Sequence, residues 1–595
     1  MPSVLGTSAS RVKEAVQDIS VYLVDTSSTT PKAIYFDGWG GLGASAVLRA
    51  IAKEPPPFLR NRFNKILHID CSRWKSRREL QRTIAEQLKL PPHVMAILNR
   101  QDEDDDFSGL DEYSRAEVAE ITKEIYQAII NLSCLVIFHN GSDGMVELTD
   151  FGFPQFNWFV PNKLLWTYRG RFRLNPEIGE KVDSSHLFLR TLGFSLYKAD
   201  PLVEEAREIV LYTQYKEIIS IEIAEKCLTY LLLLNRNDCG IMDYNWETQA
   251  SNYWVCDEII EKGHFDNPWE VSAALHQELR LEDWSAKELS NASAQHWQLV
   301  IYTSESAEMA KISPEITSYF LSTKNLLYAP VPNDMCQKSE RLRVLKLSGC
   351  SFSFYSPPFR CCRGLRFLGL DHCEDKPQEE EERKLETQVM ECFQSLWVLD
   401  INRTDWEVDF SPDAVEKMAK NIRDVHIRKG RIWGKNLAWR QLQNIRKLRV
   451  INPTSSWETG NKDEFKDMVN LELLDLSGNI TIQAMPTLSD ATSLKTLVLD
   501  GCVTLEHVDH EDLPPSLESF SFNARSDKLS KISLTGCVKL KSFLLRGSFL
   551  FLEELNLSGT LIRKLDLSDE MVQVTRLKKV ILLGCKQLHA ILWKK

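Results

Sequence analysis

Along residues 31–180, short apolar runs alternate with stretches whose apolar residues recur at helical spacing. The runs fall at 33–37, 65–71, 134–139 and 163–169. Between them, Leu80, Ile84, Ala85 and Leu88 share one helical face within 75–90. Val118, Ile121, Ile125, Ala128 and Ile129 share another within 110–131. Short strands separated by helices of this length predict a parallel sheet joined by crossovers. Residues 181–330 read as mostly helical, with periodicity over 203–212, 218–234 and 271–281, a break at 235–243 and a candidate strand at 296–303. Residues 1–30 form a short N-terminal segment in which 11–24 pattern as an amphipathic helix or a strand end. The acidic run at 103–106 reads as a solvated loop between two helices.

The pattern changes at Leu342. A spacing L-x-x-L-x-L-x-x-[C/N/T] appears there with Leu345, Leu347 and Cys350, and recurs from Leu365, Leu396, Ile422, Ile445, Leu471, Leu494, Leu517, Leu529, Leu552 and Leu577. Intervals are mostly 23 to 26 residues, with one of 31 and one of 12. The long one carries a polar insertion at 376–383. This is the leucine-rich repeat signature. Each unit supplies one short strand whose Leu positions point into a shared core, while Asn, Cys or Thr satisfies the following turn. One unit cannot bury its apolar face alone, so the units stack into a solenoid. At about 1.5–3 kcal/mol per buried Leu, such an array depends on cumulative burial.

The candidate chemistry lies at residues 34–51. A short strand leads into a glycine-dense turn, then into a small-residue run that starts a helix. That layout can cradle phosphate, because glycines let backbone N–H groups approach its oxygens and the helix N-terminus adds a positive dipole end. Against the spacing G-x-x-x-x-G-K-[ST], Gly38 and Gly43 fit the glycines and Ser45 the hydroxyl, but Ala44 occupies the lysine place. A carboxylate for Mg²⁺ is wanted at the end of a later strand. There the chain reads His139-Asn140, with Asp143 a poor substitute. The missing lysine alone removes a charge-assisted contact of about 1.5–3 kcal/mol. Gly38, Gly40, Gly41, Gly43, Ala44 and Ser45 are therefore the expected cofactor-binding set, together with Arg169 at the end of the next strand. They suit at most a bound ADP, with no hydrolysis and no metal.

Composition narrows the rest. With 43% apolar and 26% charged residues, the chain is an ordinary globular protein long enough for several domains. A net charge of −11 disfavours nucleic acid as the main partner. No apolar run is long enough to span a bilayer, and residues 1–20 lack the core of a secretory signal. The 14 cysteines are dispersed with no C-x-x-C pair, which points to a reducing, cytoplasmic setting.

Taken together, the glycine loop, residues 66–71 with Trp74 and Leu80, residues 135–143, the strand ending Thr167-Tyr168-Arg169 and the repeats resemble plant nucleotide-binding leucine-rich repeat disease resistance proteins. Residues 227–234 with Tyr253, Trp254, Ile259 and Ile260 resemble the segment entering that family's winged helix. The resemblance implies an α/β multidomain chain. Residues 31–180 would form a degenerate phosphate-loop NTPase-like domain on a parallel sheet, 181–330 a truncated helical and winged-helix-like region, and 335–595 a C-terminal leucine-rich repeat solenoid. It places His139-Asn140 where the family has two aspartates. The Gly-Leu-Pro-Leu motif, the Met-His-Asp triplet and the N-terminal coiled coil are missing.

The expected function is that of an immune receptor-like protein in defence, not an enzyme, which binds a pathogen-derived protein, a host protein or an intact receptor of the same family. The alternative is an active nucleotide-dependent switch with an unorthodox site. Residues flanking the inward Leu positions should face the concave surface and meet the partner: Lys346, Asp371, Asp400, His426, Arg428, Arg449 and Asp475. Their mixed signs suit a protein surface better than a polyanion.

Overall fold

Two parallel sheets organise the chain, one in each of two units: residues 1–238 with 259–292, and residues 239–258 with 293–595. The computed structural model describes all residues except 1–2, 8, 26–29, 40–41, 72–73, 75, 108–114, 141–145, 158–160, 169–184, 186, 192–199, 235–245, 262–266, 279–295, 303–310, 324–327, 377–389, 407–411, 432–438, 456–461, 569–570 and 594–595. The expected break at 235–243 and nearly all of the polar insertion lie outside the described residues.

The first unit runs β1 (Ser3–Thr7), α1 (Val12–Val24), β2 (Ala33–Gly38), α2 (Ala44–Lys53), α3 (Pro57–Arg62), β3 (Lys65–Asp70), α4 (Arg77–Leu88), α5 (Pro92–Phe107), α6 (Ala119–Ile130), β4 (Cys134–Asn140), β5 (Lys163–Tyr168), β6 (Leu187–Thr191), α7 (Asp200–Tyr212) and α8 (Ile221–Leu234). The sheet order is β1-β6-β2-β5-β4-β3, and every pairing is parallel. Every residue of β4 is buried, as expected for a parallel strand with both faces covered. Its alternate side chains feed two layers. Leu135 and Ile137 join Ile19, Phe36, Val47, Leu48 and Ile51 on one face. Val136 and Phe138 join Leu80, Ile84, Ile121 and Ile125 on the other. Helix α4 starts on Ser76, whose hydroxyl accepts from the Glu79 amide at 3.3 Å, and ends at Lys89 in the left-handed region.

Within residues 1–30 the helical one of the two expected forms is found: α1 buries Ala15, Ile19 and Leu23 in the core, and β1 pairs along β6. One expectation is corrected here. The acidic run is not a loop. It completes α5, where Asp102 and Asp105 lie 3.0 and 2.9 Å from the Arg78 guanidinium. Arg78 carries the neutralising charge that a scan for apolar spacing does not register.

The second unit contains α9 (Trp246–Cys256) and a twelve-stranded parallel sheet. Its strands are β7 (Trp297–Tyr302), β8 (Ser318–Thr323), β9 (Val344–Ser348), β10 (Phe367–Asp371), β11 (Val398–Asn402), β12 (Asp424–Arg428), β13 (Lys447–Ile451), β14 (Leu473–Asp475), β15 (Thr496–Val498), β16 (Ser519–Ser526), β17 (Ser542–Phe549) and β18 (Val572–Gln573), each beside the one before it. The first unit is completed by α10 (Pro268–Gln277). Register aligns Leu345, Leu368, Leu399, Val425, Leu448, Leu474, Leu497 and Phe520 in one inward row. This is the expected leucine-rich repeat solenoid, and its core is continuous from Ile312 to Val572. The turn residues act as the repeat predicts. The Asn479 amide donates to the Val450 and Leu476 carbonyls at 2.7 and 2.6 Å, and the Cys502 thiol to the Leu476 carbonyl at 3.2 Å.

The repeat array differs from its sequence reading in two ways. It starts earlier than 335, because Ile316, Tyr319 and Leu321 fill the Leu positions of a unit in which the first two are not Leu. The 12-residue interval is not a short repeat. Leu529, Leu552 and Leu577 introduce a second strand column, with Lys531–Ser533, Glu554–Asn556 and Lys579–Ile581 paired side by side, while Phe520 and Phe543 continue the first. Each late coil thus carries strands in both columns.

One turn position, two residues past the second inward apolar residue, takes positive φ in coil after coil. Gly349 stands there first, the next four coils place His372, Arg403, Lys429 and Asn452 there, and later ones place Gly478, Gly501, Gly536, Gly559 and Gly584. A non-glycine residue in this region is strained by about 1–2 kcal/mol, part of which glycine gives back through the entropy of the unfolded chain. Lys429→Gly should therefore raise the stability of the second unit by about 0.5–1 kcal/mol, read by urea denaturation.

In the first unit, Lys163 is buried and its ammonium donates to the Tyr22 carbonyl. Burial and neighbouring Lys32 push it down to about 8 from an ordinary 10.5. A base whose folded value is depressed binds fewer protons folded than unfolded between those values, so stability rises with pH there. Urea midpoints of the first unit should climb between pH 8 and 10.5, and Lys163→Met should flatten the climb.

Candidate functional site

At the carboxyl end of β2 the chain reverses at once. The Trp39 amide donates to the Leu42 carbonyl at 2.9 Å, and the two residues form an antiparallel bridge. Gly40 and Gly41 lie outside the described residues, as do Arg169 and Asp143. Gly38 has φ +73°, and a Cβ on it would meet the Leu42 carbonyl oxygen at 2.1 Å. Gly43, φ +69°, caps α2 and lies under the Trp39 ring, where a Cβ would meet ring carbons at 3.0 Å. Trp39 is buried and anchored by its indole N–H to the Ala9 carbonyl at 2.9 Å. The side chains of Ala44 and Ser45 are buried. The turn is closed around its own tryptophan.

The Gly43 amide, the first donor of the helix N-terminus, is engaged from within the unit. It donates to the Glu205 carboxylate of α7 at 2.8 Å. Glu205 is only 7% exposed. Two further residues of α7, at i+3 and i+7 from Glu205, share that helix face. Glu208 takes a forked pair from Arg49 of α2, Nε and Nη2 both at 2.9 Å, and Tyr212 bonds both Arg49 and Asp70. Burial alone would lower the Arg49 guanidinium, but Glu208 and Tyr212 outweigh it and hold it well above its ordinary value. The sequence reading missed Glu205, Arg49, Glu208 and Tyr212. The signal was present as Glu-x-x-Glu-x-x-x-Tyr on one face of a helix that otherwise buries Leu202, Ala206 and Ile209.

The residues at the Mg²⁺ position are committed elsewhere. Asn140 clamps Val146, accepting from its amide at 2.9 Å and donating to its carbonyl at 3.1 Å. The buried His139 ring meets the His68 ring edge-on, 5.1 Å between centroids. Among the described residues, no group of three or more His, Cys, Asp or Glu side chains is placed to hold a metal, and no helix is long and apolar enough to cross a membrane.

In the second unit, the seven concave-face residues divide. Lys346, Asp371, Asp400 and His426 are buried, so they are not the open contacts expected of them. Helix α9 accounts for the change. Its Tyr253 packs edge-on against Phe320 and Phe367 at 5.2 and 4.7 Å, and its Asn252 amide donates to Asp424 at 3.2 Å. Just beyond α9, Glu258 bridges Arg343 and Arg366, each at 2.6 Å. Beneath the helix, His426 Nδ1 lies 3.0 Å from Asp400. Burial would raise the Asp400 carboxyl, yet His426, Lys346 and Arg449 together hold it below the usual range. Burial, aided by Asp400 and Asp371, pushes the Tyr253 phenol well up. Arg428, Arg449 and Asp475 keep part of their surface in solvent. Arg449 lies 3.1 Å from Asp424, and Asp475 accepts from the Ser477 amide at 3.0 Å.

Comparison with known proteins is sparse. No protein-family model matches the chain. A candidate disease resistance protein of Arabidopsis thaliana is 26% identical over 156 residues, which is 25% of this chain and 12% of that protein. Among solved structures, an internalin from Listeria monocytogenes aligns at 12% identity over 47% of this chain and 74% of that one, with a TM-score of 0.27. A leucine-rich repeat protein of Leptospira interrogans aligns at 17% identity over 45% of this chain and 81% of that one, with a TM-score of 0.21.

The close approach at Gly38 gives a direct check. Gly38→Ala should destabilise the first unit by about 2 kcal/mol or more, read by thermal or urea melting, with the repeat transition unmoved.

Proposed function

We propose that this chain is an immune receptor-like interaction protein, which recognises a protein partner on the open part of its repeat sheet and does not hydrolyse ATP. The observation that carries the reading is the repeat sheet itself. Beyond α9 it presents Arg428, Arg449 and Asp475 as a partly solvated strip of mixed charge across β12–β14. Opposite charges on a rigid parallel scaffold favour a protein surface of complementary pattern over a polyanion. The Arabidopsis likeness supports a role in defence, with a pathogen-derived protein, a host protein or an intact receptor as partner.

Three features argue against turnover. Ala44 supplies no cation for the β/γ-phosphates, Asn140 is tied to the Val146 backbone, and the Gly43 amide already has an acceptor. ATP turnover by the purified full chain should match that of Gly43→Arg. A rate lost with that substitution would overturn the absence of hydrolysis. A partner identified with the wild-type chain should bind at least about tenfold more weakly, or about 1.4 kcal/mol, to the double charge reversal Arg449→Glu, Asp475→Lys. It should bind unchanged to Glu416→Lys on the exposed face of Pro412–Asn421. Equal binding to all three would exclude this strip as the recognition surface.

A further inference from the structure

We infer that the head of α2 has a resident anion built into the chain: the Glu205 carboxylate takes the Gly43 amide in the place of a phosphate, and the first unit holds its fold without a nucleotide. This rests on the geometry of the loop and α7, not on the partner-binding reading.

The N-terminus of a helix offers backbone donors and a positive dipole end, and in this chain the Gly43 amide is that donor at the head of α2. An uncompensated buried N–H loses its hydrogen bonds to water and gains none, so it needs an acceptor. Glu205 supplies one at 2.8 Å, from a side chain itself more than nine-tenths buried. A carboxylate has the charge sign and the oxygen geometry of a phosphate edge, so it satisfies the same donor. It is also held there by more than one bond. The Arg49–Glu208 pair, one turn along α7 from Glu205, and the Tyr212–Asp70 bond, one turn further, join that face to α2 and to the end of β3. The first turn of α7 also closes on the loop, with Pro201 Cα 3.7 Å from a Cβ placed on Gly43. A nucleoside diphosphate would have to displace a buried carboxylate and bring its own negative charge beside it, without the lysine that offsets such charge elsewhere. The small side chain at Ala44 has the same sense: where the loop's anion is a single internal carboxylate, no mobile cation is required.

The test uses the full chain with ADP and, separately, inorganic pyrophosphate as probes, followed by calorimetric titration and by thermal melting of the first unit. Wild-type protein should release no nucleotide on acid denaturation and show no shift of its melting midpoint with millimolar ADP. Glu205→Ala vacates the position and should bind ADP at least about tenfold more tightly than wild type. Glu205→Gln keeps a neutral acceptor on the Gly43 amide and should lie between the two. Binding of pyrophosphate as well as ADP by Glu205→Ala would assign the site to phosphate chemistry rather than to the base. Should Glu205→Ala fail to fold, Glu205→Gln decides, and ADP affinity equal to wild type overturns the inference. It is equally overturned if wild-type chain carries stoichiometric ADP, or if none of the three proteins binds ADP.

Discussion

Parallel pairing is the constraint on which both units depend. Every strand pair of the six-stranded and twelve-stranded sheets is parallel, so every connection must cross back over a face before the next strand begins. In the first unit the crossovers from β1 through β4 are helical, and the ends of β2, β3 and β4 fall along one edge. In the second they are short turns and insertions, and successive coils stack in register. The same rule therefore produces a loop cluster in one case and a ladder of equivalent positions in the other.

What could be read from sequence follows from which physics repeats. β2 to β5 were legible because buried parallel strands are short unbroken apolar runs. The repeats were legible because Leu345, Leu368, Leu399 and Leu474 recur at fixed offsets. The first coils escaped because Ile316 and Tyr319 keep the burial but not the letter. The second strand column escaped because spacing along a chain does not say on which side of a coil a strand lies. Residues 3–7 escaped because their partner, β6, is 184 residues further along (Ser3 beside Leu187), and nothing local signals a long-range pairing. The candidate sites were less legible. Gly38 and Gly43 take positive φ, conformations that only glycine takes freely. Their acceptor, Glu205, is 162 residues downstream. On the concave face, alternation correctly turned Lys346, Asp400 and His426 away from the core. It could not show that α9 would cover them.

Both polar regions share a pattern: groups that look available in sequence are satisfied internally. Gly43 has Glu205, Asn140 has Val146, Asp400 has His426, and Asp424 has Asn252 and Arg449. Buried polar groups left without such partners are costly, so each of these internal partners contributes to the stability of its unit.

Helix α9 has a mechanical consequence. A stack of coils transmits load from neighbour to neighbour and ordinarily can begin to separate at either end. Here Tyr253, Asn252 and Glu258 reach across β8, β10, β12 and the turns before β9 and β10, so the early coils are tied to one another through a strut that lies outside the stack. Among the described residues, the strands of the coils around β16–β18 pair with those of their neighbours. A pull along the solenoid axis would peel that far end first and halt where the strut begins, leaving the coils from β8 to β12 as the last to lose their shape.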